Sequence, residues 1–228
     1  MPPSTATVAS VDNRRIPHFL RKVREHVADV DAPVVTLIAQ GGRDPFRVLV
    51  STLLSARTKD EVTAAASARL FAVAAEPAAV ARLRESRLAR LIYPAGFYLT
   101  KAKNLKRTCR LLVERFDGEV PDTIEELVEL PGVGRKTANL VLIEGFRKPA
   151  ICVDTHVHRI TNLWGYVDTK TPEATEMALR SRLHPRYWLD LNRLLVSFGQ
   201  NTCVPTSPKC SLCPLEQRCP RLGVTRHR

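Results

Sequence analysis

The chain has 228 residues, 44% of them hydrophobic and 25% charged, the balance of a folded globular protein, which excludes an intrinsically disordered one. No apolar run approaches the roughly 20 residues that span a bilayer, and Met1 to Asn13 has no apolar core of the secretory kind, so a cytoplasmic protein with no membrane partner is expected. The formal charge of +12 favours a polyanionic partner, nucleic acid before any membrane surface, because Lys and Arg that neutralise phosphates release condensed counterions.

Helical periodicity dominates and strict period-two alternation is scarce, so an all-α fold is predicted. Residues 1–15, a Pro/Ser/Thr/Ala stretch closing on Arg14-Arg15, are expected to be a disordered basic tail. His18 to Val30 then places Phe19, Val23, Val27 and Val30 on one helical face. Further helices are predicted near 33–40, 45–55, 60–73, 77–84, 86–93, 101–116, 123–129, 135–146, 155–164, 172–183 and 185–198. Asp117-Gly118 is a turn signal, and Thr123 with Glu126 makes a candidate capping box for the helix that follows.

Three stretches carry chemistry. The first is Leu127-Val-Glu-Leu-Pro-Gly-Val-Gly-Arg-Lys-Thr-Ala-Asn-Leu140, a helix, a tight turn and a helix. Pro131 sets φ for the turn and Gly132 and Gly134 tolerate positive φ, so several N–H groups can point outward together at the start of the second helix, an arrangement suited to phosphate. Lys136, in that helix's first turn, reads on its own as a phosphate contact. The second stretch, Val153-Asp-Thr-His-Val-His-Arg159, puts Asp154 where an N-cap is expected. The third is Cys203-x6-Cys210-x2-Cys213-x5-Cys219. Four cysteines crowded into one segment argue against a disulfide framework and for a metal site, while the isolated Cys109 and Cys152 read as small buried hydrophobes. Zinc ribbons usually have two Cys-x2-Cys pairs; this segment has one.

Leu-Pro-Gly-Val-Gly-x-Lys-Thr-Ala closely resembles the helix-hairpin-helix signature of the endonuclease III family of DNA glycosylases. The Val-Asp-Thr-His context of Asp154 and the spacing of the four cysteines are similar to the same family's. The resemblance extends over about residues 20–221 and implies two helical lobes flanking a DNA-binding cleft. One lobe is 37–148, six helices with the hairpin; the other joins 16–36 to 149–228 and holds a 4Fe-4S cluster on Cys203, Cys210, Cys213 and Cys219. It implies a bifunctional glycosylase and abasic-site lyase of base excision repair, acting on double-stranded DNA with a damaged base or abasic site. Lys136 would be the nucleophile, displacing an oxidised pyrimidine, forming a Schiff base and breaking the strand 3′ to the site by β-elimination. Such an amine must be neutral, and at the reference pKa of about 10.4 only roughly 0.04% of a lysine is neutral at pH 7. Desolvation, a helix N-terminus and a guanidinium such as that of Arg135 favour the neutral form, whereas a close carboxylate opposes it. Asp154 is therefore expected to stabilise positive charge on the sugar rather than to activate the lysine.

The expected DNA contacts are Gly132, Val133, Gly134 and Arg135 of the hairpin, His156, Lys209 in the loop between the first two cysteines, and two segments that would open the base stack. In Leu53-Leu-Ser-Ala-Arg-Thr-Lys-Asp60, Ser55 and Arg57 lie at the helix end whose side chain fills the gap left by a flipped base. In Gly96-Phe-Tyr-Leu-Thr-Lys101, Phe97 stands as the wedge and Lys101 begins a basic helix. This chain departs from the family pattern here: Arg57 stands where Gln is usual, Phe97 where Leu is, and Leu99 where a polar residue is. Two rivals remain. An adenine-mismatch type of monofunctional glycosylase shares the cysteine spacing but normally lacks the hairpin lysine and carries a further C-terminal domain, whereas this sequence ends nine residues after Cys219. A non-catalytic DNA-binding or sensor relative would retain the fold without Lys136 and Asp154 at work. A monomer, bacterial and associated with the nucleoid, is expected.

Overall fold

The computed structural model describes residues 8–228, and every element among them is helical. These residues form two compact units. One is continuous, Ala32–Cys152; the other runs to Asp31 and resumes from Val153 to Arg228. The boundaries fall at 31/32 and 152/153 rather than near 36/37 and 148/149. The reason at the first is that the helix beginning at Val34 packs against helices of the continuous unit.

The continuous unit comprises α2 (Val34–Gln40), α3 (Pro45–Ser55), α4 (Asp60–Phe71), α5 (Pro77–Arg82), α6 (Glu85–Ile92), α7 (Tyr98–Arg115), α8 (Ile124–Leu127) and α9 (Arg135–Glu144). Its centre is α3. Asp44 caps it, accepting from the N–H groups of Phe46 and Arg47, and Pro45 supplies a preset φ in its first turn. Every side chain from Val48 to Leu54 is buried, because α2, α4, α7 and α9 all pack on it; a helix apolar all round is what such a position demands. Small residues admit α4 closely, with Ser51 Oγ and Ser67 Oγ hydrogen-bonded across the contact at 3.1 Å. Thr123 caps α8 as expected: its Oγ1 accepts from Glu126 N–H at 3.3 Å, and the hydroxyl donates to the Glu126 carboxylate at 2.6 Å. The helix it opens is only four residues long, since the chain turns at Val128 toward the Pro131 hairpin.

The second unit contains α1 (Ile16–His26), α10 (Thr155–Leu163), α11 (Pro172–Arg182), a 3-10 turn at Pro185–Tyr187 and α12 (Trp188–Asn201), followed by the cysteine segment with a short 3-10 turn at Cys210–Leu212. Both α1 and α10 pack on α12, and Phe19 meets Trp164 edge-on at 5.2 Å in a core that also buries Tyr166 and Phe198. The disordered tail expected over residues 1–15 is not what residues 8–15 form. Residues 1–7 lie outside the described residues, but 8–15 are folded onto this unit: Val11 is fully buried, its N–H donates to Trp164 O at 2.9 Å, and Tyr166 Oη donates to Asn13 Oδ1 at 2.9 Å. Asp12 accepts from the N–H groups of Arg14 and Arg15 through its side chain and from Ile16 through its carbonyl, so α1 starts two residues earlier than predicted.

Because Leu49 is fully buried in the central helix, Leu49→Ala is expected to cost about 2–5 kcal/mol, whereas Val113→Ala, at a side chain 42% exposed on α7, is expected to change stability by less than about 0.5 kcal/mol. Urea midpoints at unchanged slope measure both.

Candidate active site and metal centre

In the continuous unit the hairpin is built from one left-handed residue. Gly132 has φ +85°, the left-handed region that favours glycine, and a Cβ there would press on Asn104 Nδ2 at 3.0 Å. Gly134 does not use the positive φ it tolerates: its backbone is extended (φ −99°, ψ 176°) and it serves as the N-cap of α9, with no side chain to satisfy the first-turn N–H groups. Val133 is buried and its N–H donates to Leu130 O at 3.0 Å, so its side chain anchors the turn from beneath. Gly134, Arg135 and Lys136 are all exposed. Thr108 Oγ1 donates to Pro131 O at 3.0 Å, and the buried Cys152 thiol donates to Lys136 O at 3.5 Å. A lone cysteine in apolar sequence gives no hint of that contact, which lies under the carbonyl of the candidate nucleophile.

The two stack-opening segments meet in the same unit. Arg57 (φ 52°) and Phe97 (φ 56°) are both left-handed, both exposed, with Phe97 62% accessible rather than a core aromatic, and the Arg57 guanidinium lies 5.5 Å from the Phe97 ring centroid. Together with Leu53, Ala56, Lys101, Asn104 and Gly132 they line a cavity of about 290 Å³. Ser55 is half-buried and its hydroxyl donates to Thr52 O at 2.9 Å. Lys101 is half-buried as well: its ammonium donates to Leu54 O (2.7 Å), Ala56 O (2.7 Å) and Thr58 Oγ1 (2.8 Å). An ammonium has three donors, so the protein uses all of them and leaves none for phosphate; burial pushes the group down to about 8. Farther along α7, Lys106 donates to Leu83 O, while Lys103, Arg107 and Arg110 are exposed.

In the second unit Asp154 is the N-cap of α10. Its Oδ1 accepts from His156 N–H at 3.0 Å and Val157 N–H at 2.9 Å, and Oδ2 takes no part in the cap. The carboxylate is thus fixed in orientation and keeps one oxygen for other work. His156 is half-buried against α12 at Gly199, where an added Cβ would lie 2.3 Å from Nδ1. His158 bonds to Thr175 Oγ1 at 2.7 Å. One turn into α10, Arg159 donates to Cys203 Sγ at 3.6 Å and, through its second nitrogen, to Cys203 O. Nothing in the sequence spacing marks Arg159 for this contact.

Cys203, Cys210, Cys213 and Cys219 line one small cavity, walled otherwise by groups such as Trp164, Phe198 and Leu163, and all four are free thiols. Among the described residues no three His, Cys, Asp or Glu side chains are gathered around a point that would hold a single ion. Burial raises each thiol: Cys213 to about 11, Cys219 to about 12, and Cys203 and Cys210 upward too, with Arg159 and Arg221 respectively pulling back. Cys210, Cys213 and Cys219 also feel repulsion from neighbouring thiolates. Ionising four such neighbours together takes a strongly cationic guest, and four soft thiolates are the donor set of an iron–sulfur centre; the residues present fit one. Lys209, half-exposed in the loop before Cys210, donates its N–H to Thr202 O at 2.9 Å.

Overpacking His156 tests the seat. Gly199→Ala is expected to cost about 1–3 kcal/mol and so to lower the melting temperature by several degrees, read by calorimetry, since the imidazole must move off α12.

Residues 50–185 match the family described as HhH-GPD superfamily base excision DNA repair protein. The chain is 51% identical over 176 residues to endonuclease III of Thermotoga maritima, covering 77% of this chain and 83% of that one. It is 42% identical over 212 residues to endonuclease III-like protein 1 of Bos taurus, covering 88% and 70%. Among solved structures, a trapped endonuclease III–DNA covalent intermediate superposes with a TM-score of 0.82 at 31% identity, over 92% of this chain and 96% of that one. The hairpin, the α-helical fold and these likenesses together place the chain in the HhH-GPD superfamily of base excision DNA repair proteins, and within it in the endonuclease III family.

Proposed function

We propose that the chain, a base-excision DNA glycosylase and abasic-site lyase of the endonuclease III family, excises oxidised pyrimidines from double-stranded DNA with Lys136 as nucleophile. The observation that carries the reading is the position of Lys136: exposed, in the first turn of α9, directly after the Pro131–Gly134 turn. Since the amine is exposed, the desolvation that favours its neutral form has to come from the DNA that covers it. The neutral amine attacks C1′ of the extruded nucleoside; the C1′–N bond breaks and the base leaves, protonated on the way out. The ring opens to a Schiff base between Nζ and C1′, a proton is lost from C2′, and the electron pair expels the 3′ phosphate by β-elimination. Water then releases the enzyme. Asp154 stabilises positive charge on the sugar as the base departs and relays protons through the oxygen outside its cap.

DNA is the partner this reading assigns. The backbone of Gly132–Arg135 would hold phosphate, Arg57 and Phe97 would enter the stack, and His156, Lys209 and Ser55 would support the bound strand from their own elements. Lys101, with all three donors taken by Leu54 O, Ala56 O and Thr58 Oγ1, is not among these contacts. Cys203, Cys210, Cys213 and Cys219 would hold a 4Fe-4S cluster, which ties the cysteine segment into its unit; no step of the reaction passes through it. Among the described residues no helix is long and apolar enough to cross a membrane; we place the protein in the cytoplasm, a monomer at the nucleoid of a bacterium.

Borohydride reduction during incubation with a duplex containing an oxidised pyrimidine is expected to trap a covalent complex. Lys136→Ala is expected to abolish it, and Asp154→Asn to slow base loss by about 10² or more. Absence of any adduct on lesion or abasic DNA would remove the lyase assignment. The purified protein is expected to be brown, with iron and acid-labile sulfide; a colourless protein with stoichiometric zinc would contradict the cluster.

A further inference from the structure

Resting on the reading of Arg57 and Phe97 as the side chains that enter DNA, we infer that Lys101 is a positioning residue whose ammonium joins the turn after α3 to the turn before α7 and sets how both side chains are presented. Helix α3 ends at Ser55, and its last carbonyls need donors. The common solution is a left-handed glycine just past the helix. Here no glycine is present: Ala56 is not left-handed (φ −55°, ψ 117°) and Arg57 is. Lys101 donates to Leu54 O in the last turn of the helix and to Ala56 O just past it, where Thr58 Oγ1 also donates to Ala56 O at 3.3 Å.

The third donor makes the connection. It goes to Thr58 Oγ1, which also accepts the Gly96 N–H at 3.0 Å. A Cβ on Gly96 would lie 2.3 Å from Arg57 O, so the two turns touch backbone to backbone and residue 96 must be glycine. Phe97 follows, left-handed, and its carbonyl accepts the N–H of Lys101 at 3.0 Å. The contacts therefore close a ring through Lys101, Thr58, Gly96 and Phe97. Left-handed conformations at residues as large as Arg57 and Phe97 persist only where the surroundings over-determine them, and this ring is what does so. Lys101 also lines the cavity that Arg57 and Phe97 share with Asn104 and Gly132. With burial bringing it to about 8, the group is still mostly ammonium at pH 7 and keeps all three donors.

The test compares Lys101→Met and Thr58→Val with the native holoprotein on two substrates. Single-stranded abasic DNA needs no stack opened; a duplex with an oxidised pyrimidine does. Both variants are expected to trap on the single strand within about twofold of native. On the duplex, Lys101→Met is expected to excise about tenfold more slowly or worse, and Thr58→Val to fall in the same direction. A second readout is 2-aminopurine opposite a stable abasic analogue, whose fluorescence rise on binding is expected to shrink in both variants. Native excision and a native fluorescence rise in both would overturn the inference, as would equal loss on the two substrates, which marks a general structural role. Should Lys101→Met not fold, Thr58→Val decides alone. If the native protein traps on neither substrate, it is the lyase reading that fails, and this inference falls with it.

Discussion

On the proposed reading a lysine amine that is to attack a sugar has to be held still at a point where phosphate is also held, and the Pro131–Gly134 turn would meet both demands with a single left-handed residue. Gly132 turns the chain so that α9 begins at once, which leaves Lys136 in the first turn beside N–H groups that Gly134 cannot cap. The turn is short, so its stability comes from what lies beneath it. That support is the face of α7 defined by Phe97, Lys101, Asn104 and Thr108, spaced as a helix places neighbours on one side. Thr108 takes Pro131 O, Asn104 fills the space a Gly132 side chain would need, and Lys101 holds the end of α3. One helix thus serves as the common ruler for the hairpin and for the two segments that meet at Arg57 and Phe97.

In the other unit α10 has a similar organising part. Its first residue follows the Asp154 cap, its first turn seats His156 on Gly199, and Arg159 reaches the thiol and carbonyl of Cys203. A metal centre on the four cysteines would consequently be anchored to the helix that orients the carboxylate. Burial raises all four thiols, so on the proposed reading a cationic guest would be what brings them to the thiolate form.

Much of this was legible in the chain. Helix positions follow from apolar periodicity, and most predicted ends fall within three residues of the observed ones; the Thr123 cap and the Asp154 cap are local chemistry that needs no tertiary information. The failures have tertiary causes. Residues 8–15 read as a polar tail because a single buried valine, Val11, cannot produce a periodic signal, yet a neighbouring Trp164 carbonyl and Asn13 suffice to fold the segment down. Glycine at 134 permits positive φ, but which of the two glycines uses that freedom depends on where α9 begins, and as its N-cap Gly134 is extended. Lys101 reads as one more basic residue on a basic helix; only the spatial coincidence of three acceptors turns it inward. Cys152, Arg159 and Gly199 act through partners from 16 to 44 residues away, and no spacing rule reaches them.

The central claim is that one particular amine bonds to the sugar. Digesting the borohydride-reduced adduct formed by the native protein on abasic duplex and locating the sugar remnant by mass spectrometry tests it most directly. The account requires the remnant on the peptide containing Lys136. A remnant on Lys101, on any other lysine or on the N-terminal amine would contradict it.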